Sequence, residues 1–260
     1  MGYQVYTDGA WAKYFEAGAG ICEFELVKQD DVGSGTEELF DMRQRNTMPD
    51  MEAAPKIKGR LKHAHGRPIG IARGGRRARG ANAGSDAQVP EYIGAHKQSN
   101  NTAELTALYY ALWRAADRGR NAPAEDIYTD SLYARNITLG IWRGKSKAHA
   151  EIARNMRATW LRVQVKRGRG AVQIHHVRSH IDVPGNELAD KIADRAMKNA
   201  QLVKDAKAGE RPPVVDINLE WARSQMRAIT GSSRLHPPPP TTSTHTSAPS
   251  SHTFPRVGVG

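Results

Sequence analysis

The chain has a single cysteine, Cys22, in 260 residues. One thiol cannot form an internal bridge, which excludes a small disulfide-stapled scaffold. No apolar run approaches the roughly 18 to 20 residues that cross a bilayer, so a helical membrane protein is excluded and no membrane partner is expected. The first residues, MGYQVYTD, lack a basic stretch followed by an apolar one. No secretory signal is read there, and the expected location is intracellular, in nucleus or cytoplasm. There is no internal repeat, which argues against a solenoid or propeller. Acids are also short: 27 Asp and Glu face 38 Lys and Arg, for a net charge of +11 and a pI near 9.9. Between residues 56 and 79 there are nine Lys and Arg and no acid at all. Such an excess favours a polyanionic partner, because Lys and Arg displace counterions from phosphate backbones.

What is present has the size of one buried core with appendages. Residues 3–7 and 17–26, rich in aromatic and β-branched side chains, predict a hairpin, with Asp8 at the end of its first strand. From 28 to 88 neither helical nor strand period is sustained, and the segment is expected to be a long, flexible, Arg/Gly-rich insertion. A strand is expected at 91–97. A helix is expected from about residue 101, with Leu105, Leu108, Tyr109, Leu112 and Ala116 at helical spacing and a capping box from Asn101 to Glu104. A buried strand at 126–129 ends before Asp130. A helix follows with Leu132, Ile137 and Ile141 on one face, then a second helix at 148–165. The last strand is 171–177, and a helix with Leu188, Ile192 and Met197 facing inward starts after Pro184 and Gly185. This order predicts an α/β mixed sheet covered by helices. The domain is expected to span 1–208, with 209–230 a possible amphipathic helix and 231–260 a disordered Pro/Ser/Thr-rich tail.

Four carboxylates fall at junctions of these elements: Asp8, Glu104, Asp130 and Asp190. Strand ends in open α/β sheets form the crevice where distant residues converge. Carboxylates so gathered repel unless cations lie among them, and hard oxygen ligands suit Mg²⁺, with Mn²⁺ as an alternative. Each acid also has a local explanation: a turn for Asp8, a capping box for Glu104, a helix N-cap for Asp130, and a helix dipole for Asp190.

The segments YTDGA (6–10), NNTAEL (100–105), YTDS (128–131) and RSHIDVPGNELAD (178–190) resemble the signature blocks of type 1 ribonuclease H, in the family's order. The resemblance implies the ribonuclease H-like fold: a five-stranded mixed sheet flanked by helices, its second strand antiparallel, here with a long insertion between strands 2 and 3. It implies endonucleolytic hydrolysis of the RNA strand of an RNA/DNA hybrid, with Asp8, Glu104, Asp130 and Asp190 holding two Mg²⁺ ions. By the same match His180 is the mobile histidine that assists proton transfer or product departure, and the substrate-binding residues are Asn100, Ser131 and Asn186. Glu187 either tunes the metal environment or caps a helix, and His175 and His176 are left with packing or surface roles. The basic stretch after the Asp130 helix departs from the Trp- and Lys-rich handle of some family members. The expected partner is the hybrid itself, bound by a monomer.

Two alternatives stay open: the ribonuclease H domain of a retroelement reverse transcriptase, and a non-catalytic nucleic-acid-binding module of the same fold. The basic insertion either adds nonspecific nucleic-acid affinity, serves as a nuclear address, or is a solvated loop.

Overall fold

The computed structural model describes residues 2–13, 16–27, 38–42, 58–69, 93–95, 97–144, 147–179, 182–205 and 216–232. Strands β1 (Gly2–Trp11) and β2 (Ala17–Val27) form the expected antiparallel hairpin, from Tyr3↔Glu25 to Trp11↔Ala17. On its other side β1 pairs in parallel with β5 (Ala124–Thr129), and β5 in parallel with β6 (Val172–His176). On the outer side of β2 lie β4 (Lys58–Pro68) and then the three-residue β3 (Leu39–Asp41), both antiparallel to their neighbours. The order is β3-β4-β2-β1-β5-β6, a mixed sheet with β1 near its centre.

Because β1 is central, both of its faces are buried, and successive residues enter opposite cores. Val5 joins the core built with α1 (Asn100–Asp117), α2 (Leu132–Thr138) and α3 (Lys147–Arg167), where Leu105, Leu108, Leu112, Ile137, Ile152 and Met156 are buried. Tyr6 joins the opposite core, under α4 (Pro184–Asp205) and α5 (Leu219–Ser232), with Phe24, Leu61, Leu188, Ile192 and Met226. Leu188, Ile192 and Met197 of α4 face inward as their spacing predicts. On α2 the expected apolar face reduces to Ile137: Leu132, the first helical residue, is exposed, and so is Ile141, which lies beyond the helix end at Thr138 and the positive φ of Gly140.

Three expectations need correction. Among the described residues the sheet has six strands rather than five. Residues 28–88 are not one flexible span, for β3 and β4 lie within them. The third long strand is therefore β4, and within the stretch expected to supply it the described Ile93, Gly94 and Ala95 are buried without being a strand. Gly94 explains this, since at φ 105° any side chain there would meet the α3 backbone at Ile152, while Asn155 Nδ2 donates to the Ile93 carbonyl at 2.9 Å. This segment is pinned to a helix. The remainder of the insertion (28–37, 43–57 and 70–92) and the tail from 233 lie outside the described residues.

The helix at the chain's far end is built into the core. Ala222, Met226 and Ile229 of α5 are buried against α4 and β4, and Arg227 bridges to Glu38 beside β3. Met226→Ala is expected to cost about 2–4 kcal/mol in urea unfolding, the range for emptying a buried methionine site; an appendage packed on nothing would show no change.

Candidate active site

The site is made where two neighbouring strands differ in length. β1 and β5 run side by side only to Thr7↔Thr129, after which β1 continues to Trp11 and β5 stops. At Asp8 the flank of β1 toward β5 is therefore open, and Asp130, the first residue after β5, stands beside it. Asp8 shares the parity of Tyr6 and so leaves β1 toward the α4 face, whereas Glu104 comes from α1 on the other face. The open flank lets them meet. Oxygens of Asp8, Glu104 and Asp130 all lie within 4.8 Å of one another.

Two glycines bring the helices in. A Cβ at Gly9 would overlap the backbone of Ala103 and Glu104, and one at Gly20 would overlap the Ala189 carbonyl and the Ala193 amide. Gly9 thus seats the start of α1 on β1, and Gly20, paired with Asp8 in the hairpin, seats α4 on β2. Sequence reasoning gave neither glycine a role beyond turn chemistry; their signal was their place inside apolar strands rather than between them.

The start of α1 also differs from expectation. Its N-cap is Ser99, in a capping box with Thr102, rather than Asn101 with Glu104. The two-residue shift removes the structural explanation for Glu104: its carboxylate is not spent on the cap and faces Asp8. Asn100 is exposed on the first turn, its Nδ2 3.5 Å from Glu104 Oε1.

Asp8 Oδ1 accepts from the Gly9 amide at 2.7 Å. Asp130 is held at two points: Asn186 Nδ2 donates to its Oδ2 at 3.4 Å, and His176 Nε2 donates to its carbonyl at 3.1 Å. Asn186 is buried, so it braces Asp130 rather than presenting an amide to solvent. His176, assigned only a packing or surface role from sequence, is exposed and makes this contact. Ser131 caps α2, its Oγ accepting from the Ala134 amide at 3.1 Å. Asp190 sits on the exposed side of α4, outside the close group of three, yet its charge still reaches Asp8. Glu187 lies in the first turn of α4, and His180 lies outside the described residues.

Burial first, then the charges of Asp130 and Asp190, push the Asp8 carboxyl up to about 8. Burial and the charges of Asp8 and Asp130 likewise raise Glu104 well above the usual carboxylate range. In the metal-free protein the pair therefore retains a proton at neutral pH. Glu104 Oε2 is buried with no hydrogen-bond partner. A buried, unpartnered carboxylate oxygen among acids is the donor set that a hard divalent cation satisfies, and Asp8, Glu104 and Asp130 fit one.

A mixed α/β sheet that gathers carboxylates where its central parallel pair ends defines a protein with an acidic, metal-competent centre. The family model for RNase H matches residues 71–198. The ribonuclease H of Mycolicibacterium smegmatis is 35% identical over 116 residues, covering 43% of this chain and 70% of that protein. The ribonuclease H of Oleidesulfovibrio alaskensis is 30% identical over 138 residues, covering 48% of this chain and 87% of that protein. Among solved structures, ribonuclease H1 of Halobacterium salinarum aligns with a TM-score of 0.40 at 19% identity, over 77% of this chain and all of that one. The chain belongs to the ribonuclease H family, and with it to the hydrolytic nucleases.

Gly9→Ala is expected to push α1 off β1, costing at least about 1–3 kcal/mol as an overpacking change and abolishing divalent-ion binding measured by calorimetry. Stability should also depend on pH in a definite sense. Between pH 4 and about 8 the unfolded chain has released the Asp8 proton while the folded one keeps it. Metal-free stability must then fall as pH rises through that window. Thermal melts in EDTA should show a steeper drop from pH 6 to 8 for wild type than for Asp8→Asn, and Mg²⁺ should raise the wild-type melting temperature more at pH 8 than at pH 6.

Proposed function

We propose that the protein cleaves the RNA strand of RNA/DNA hybrids, leaving 5′-phosphate and 3′-hydroxyl ends, with Asp8, Glu104, Asp130 and Asp190 holding two Mg²⁺ ions and Mn²⁺ able to replace them. The observation that carries this is the meeting of Asp8, Glu104 and Asp130 within 4.8 Å around a buried, unpartnered carboxylate oxygen, in a chain of the ribonuclease H family. When bound, the ions activate the attacking water and offset charge on the leaving oxygen.

The protein's own groups do the rest. Gly9 N fixes one oxygen of Asp8. Asn186 and His176 fix Asp130 through its carboxylate and its carbonyl. Asp190, on the exposed rim, closes the acidic set from α4. Asn100, exposed one turn before Glu104, meets the sugar edge of the shallow minor groove, where the 2′-hydroxyl tells RNA from DNA. Ser131 keeps its hydroxyl hydrogen for a phosphate oxygen while its lone pair caps α2. His180, four residues beyond β6, carries a proton to or from the leaving group. Contacts of this kind touch sugars and phosphates more than base edges, so sequence preference is weak.

With Mg²⁺ present, the purified protein should cut hybrid and leave duplex RNA and duplex DNA intact. Asp8→Asn should lower turnover beyond the ~10–100-fold that loss of an outer-shell partner costs. Binding of hybrid without any cutting would refute the catalytic reading in favour of a nucleic-acid-binding module.

A further inference from the structure

The face of β4 toward α1 carries a row of basic side chains that the acidic centre does not use. Arg60 and Lys62 both reach Glu25, at 3.4 and 3.7 Å. Arg67 lies over the Tyr110 ring of α1, 4.7 Å from its centroid, and its Nε donates to His65 Nε2 at 2.6 Å. One turn further along α1, Arg114 reaches Glu23 on β2, and Arg118 bridges Glu23 and Glu125. Four cations thus share three acids, and Arg67 rests on a ring. Two of the acids lie underneath: the side chains of Glu23 and Glu125 are 3% and 0% exposed, while those of Lys62 and Arg114 are 37% and 34% exposed. Glu25, at 27%, shares the surface with Arg60 and Lys62, so cations outnumber acids at the solvent face.

Partial burial, followed by the charges of Arg67, Arg114 and His63, pushes His65 down to about 4. The charge of the row at neutral pH therefore comes from Arg and Lys alone. Trp113, next to Arg114 in sequence and three residues from Tyr110 on α1, is 45% exposed, leaving indole surface to solvent. The sequence that follows β4 extends the positive run, with Arg73, Arg76, Arg77 and Arg79 before the next acid, Asp86.

We propose that the α1-side face of β4 and the adjoining turns of α1 form a second nucleic-acid contact, in which Arg60, Lys62, Arg67 and Arg114 bind phosphodiester groups and Trp113 stacks on a base. The occupant follows from charge and ring together: a strand of phosphates needs spaced cations, and unpaired bases need an exposed aromatic face. In register, Arg67 lies opposite Ala19, which lies opposite Gly9, so the row begins level with the acidic centre two strands away and runs down β4 from there. A strand held on it stays tethered to the protein while the centre engages a hybrid. This surface goes beyond the hydrolytic reading and does not need it.

The test is fluorescence anisotropy with a labelled single-stranded DNA oligonucleotide and a labelled RNA/DNA hybrid, in EDTA, across a NaCl series. Lys62→Gln/Arg67→Gln should weaken single-strand binding about 3- to 10-fold near 0.1 M salt and flatten the salt slope by roughly 0.7 per lost phosphate contact. Trp113→Ala should weaken it at least about 5-fold with little change in slope. Lys62→Arg/Arg67→Lys should restore the wild-type slope, which separates charge from packing. Turnover on saturating hybrid with Mg²⁺ should be unchanged in all three variants. Wild-type affinity and slope in the Gln and Ala variants would overturn the proposal, as would no binding of the oligonucleotide by wild type. Hybrid cleavage by wild type is read separately, so its failure would count against the hydrolytic function and leave this surface standing.

Discussion

Everything at the centre depends on holding carboxylates where they repel. Two unit charges 4.8 Å apart cost about 3 kcal/mol at an effective dielectric near 20, and three acids meet at that spacing. The protein meets this opposition with packing placed directly behind each acid. Gly9 lets α1 press on β1 behind Glu104, and Gly20 lets α4 press on β2 beside Asp8. Behind each helix is a full core, one holding Leu105 and Leu108, the other Leu188 and Ile192. The helices cannot retreat to relieve the acids without opening those cores, so relief comes by proton retention or by a cation.

The family match begins at residue 71, after β4, and so includes Glu104, Asp130 and Asp190 but not Asp8. Asp8 is joined to them by strand pairing. The parallel ladder from Gly2↔Ala124 to Thr7↔Thr129 fixes Asp8 one residue past the last pair, and that offset makes the opening. The elements outside the match are also packed: β3 and α5 close over the outer half of the α4-side core through Phe40, Met226 and Ile229.

The amino-acid sequence announced the hairpin and the long helices because each has a clear local signal, β-branched strand segments and 3.6-residue periodicity. The acids were legible only as a set, through the four sequence blocks, and the structure draws Asp8, Glu104 and Asp130 of that set together. It concealed β4 for a physical reason. The inward residues of that strand are Gly59, Leu61, Ala64 and Gly66, of which all but Leu61 are small, Gly59 and Gly66 because Met42 and α4 press on them, and the set is therefore weakly apolar. Worse, the register shifts at Glu23/Phe24, so the inward set slips by one at Lys62 and the period of two is broken mid-strand. Residues 91–97 misled in the opposite sense, since Ile93 and Ala95 are buried against helices rather than in the sheet. The brace on Asp130 was half legible: Asn186 stands four residues before Asp190 on one face of α4, but nothing local ties His176 to a carbonyl 46 positions earlier.

The charge layout of the sheet sets an order of events. An acidic centre without cations repels a nucleic-acid backbone, and in a metal-free protein basic groups such as those of β4 and α1 offset that repulsion. Cations held by Asp8, Glu104 and Asp130 would remove that repulsion and displace the proton held by Asp8 and Glu104. Metal loading and backbone binding would then be linked, each making the other more favourable, and a strand held on the proposed basic row would stay bound in either state of the centre.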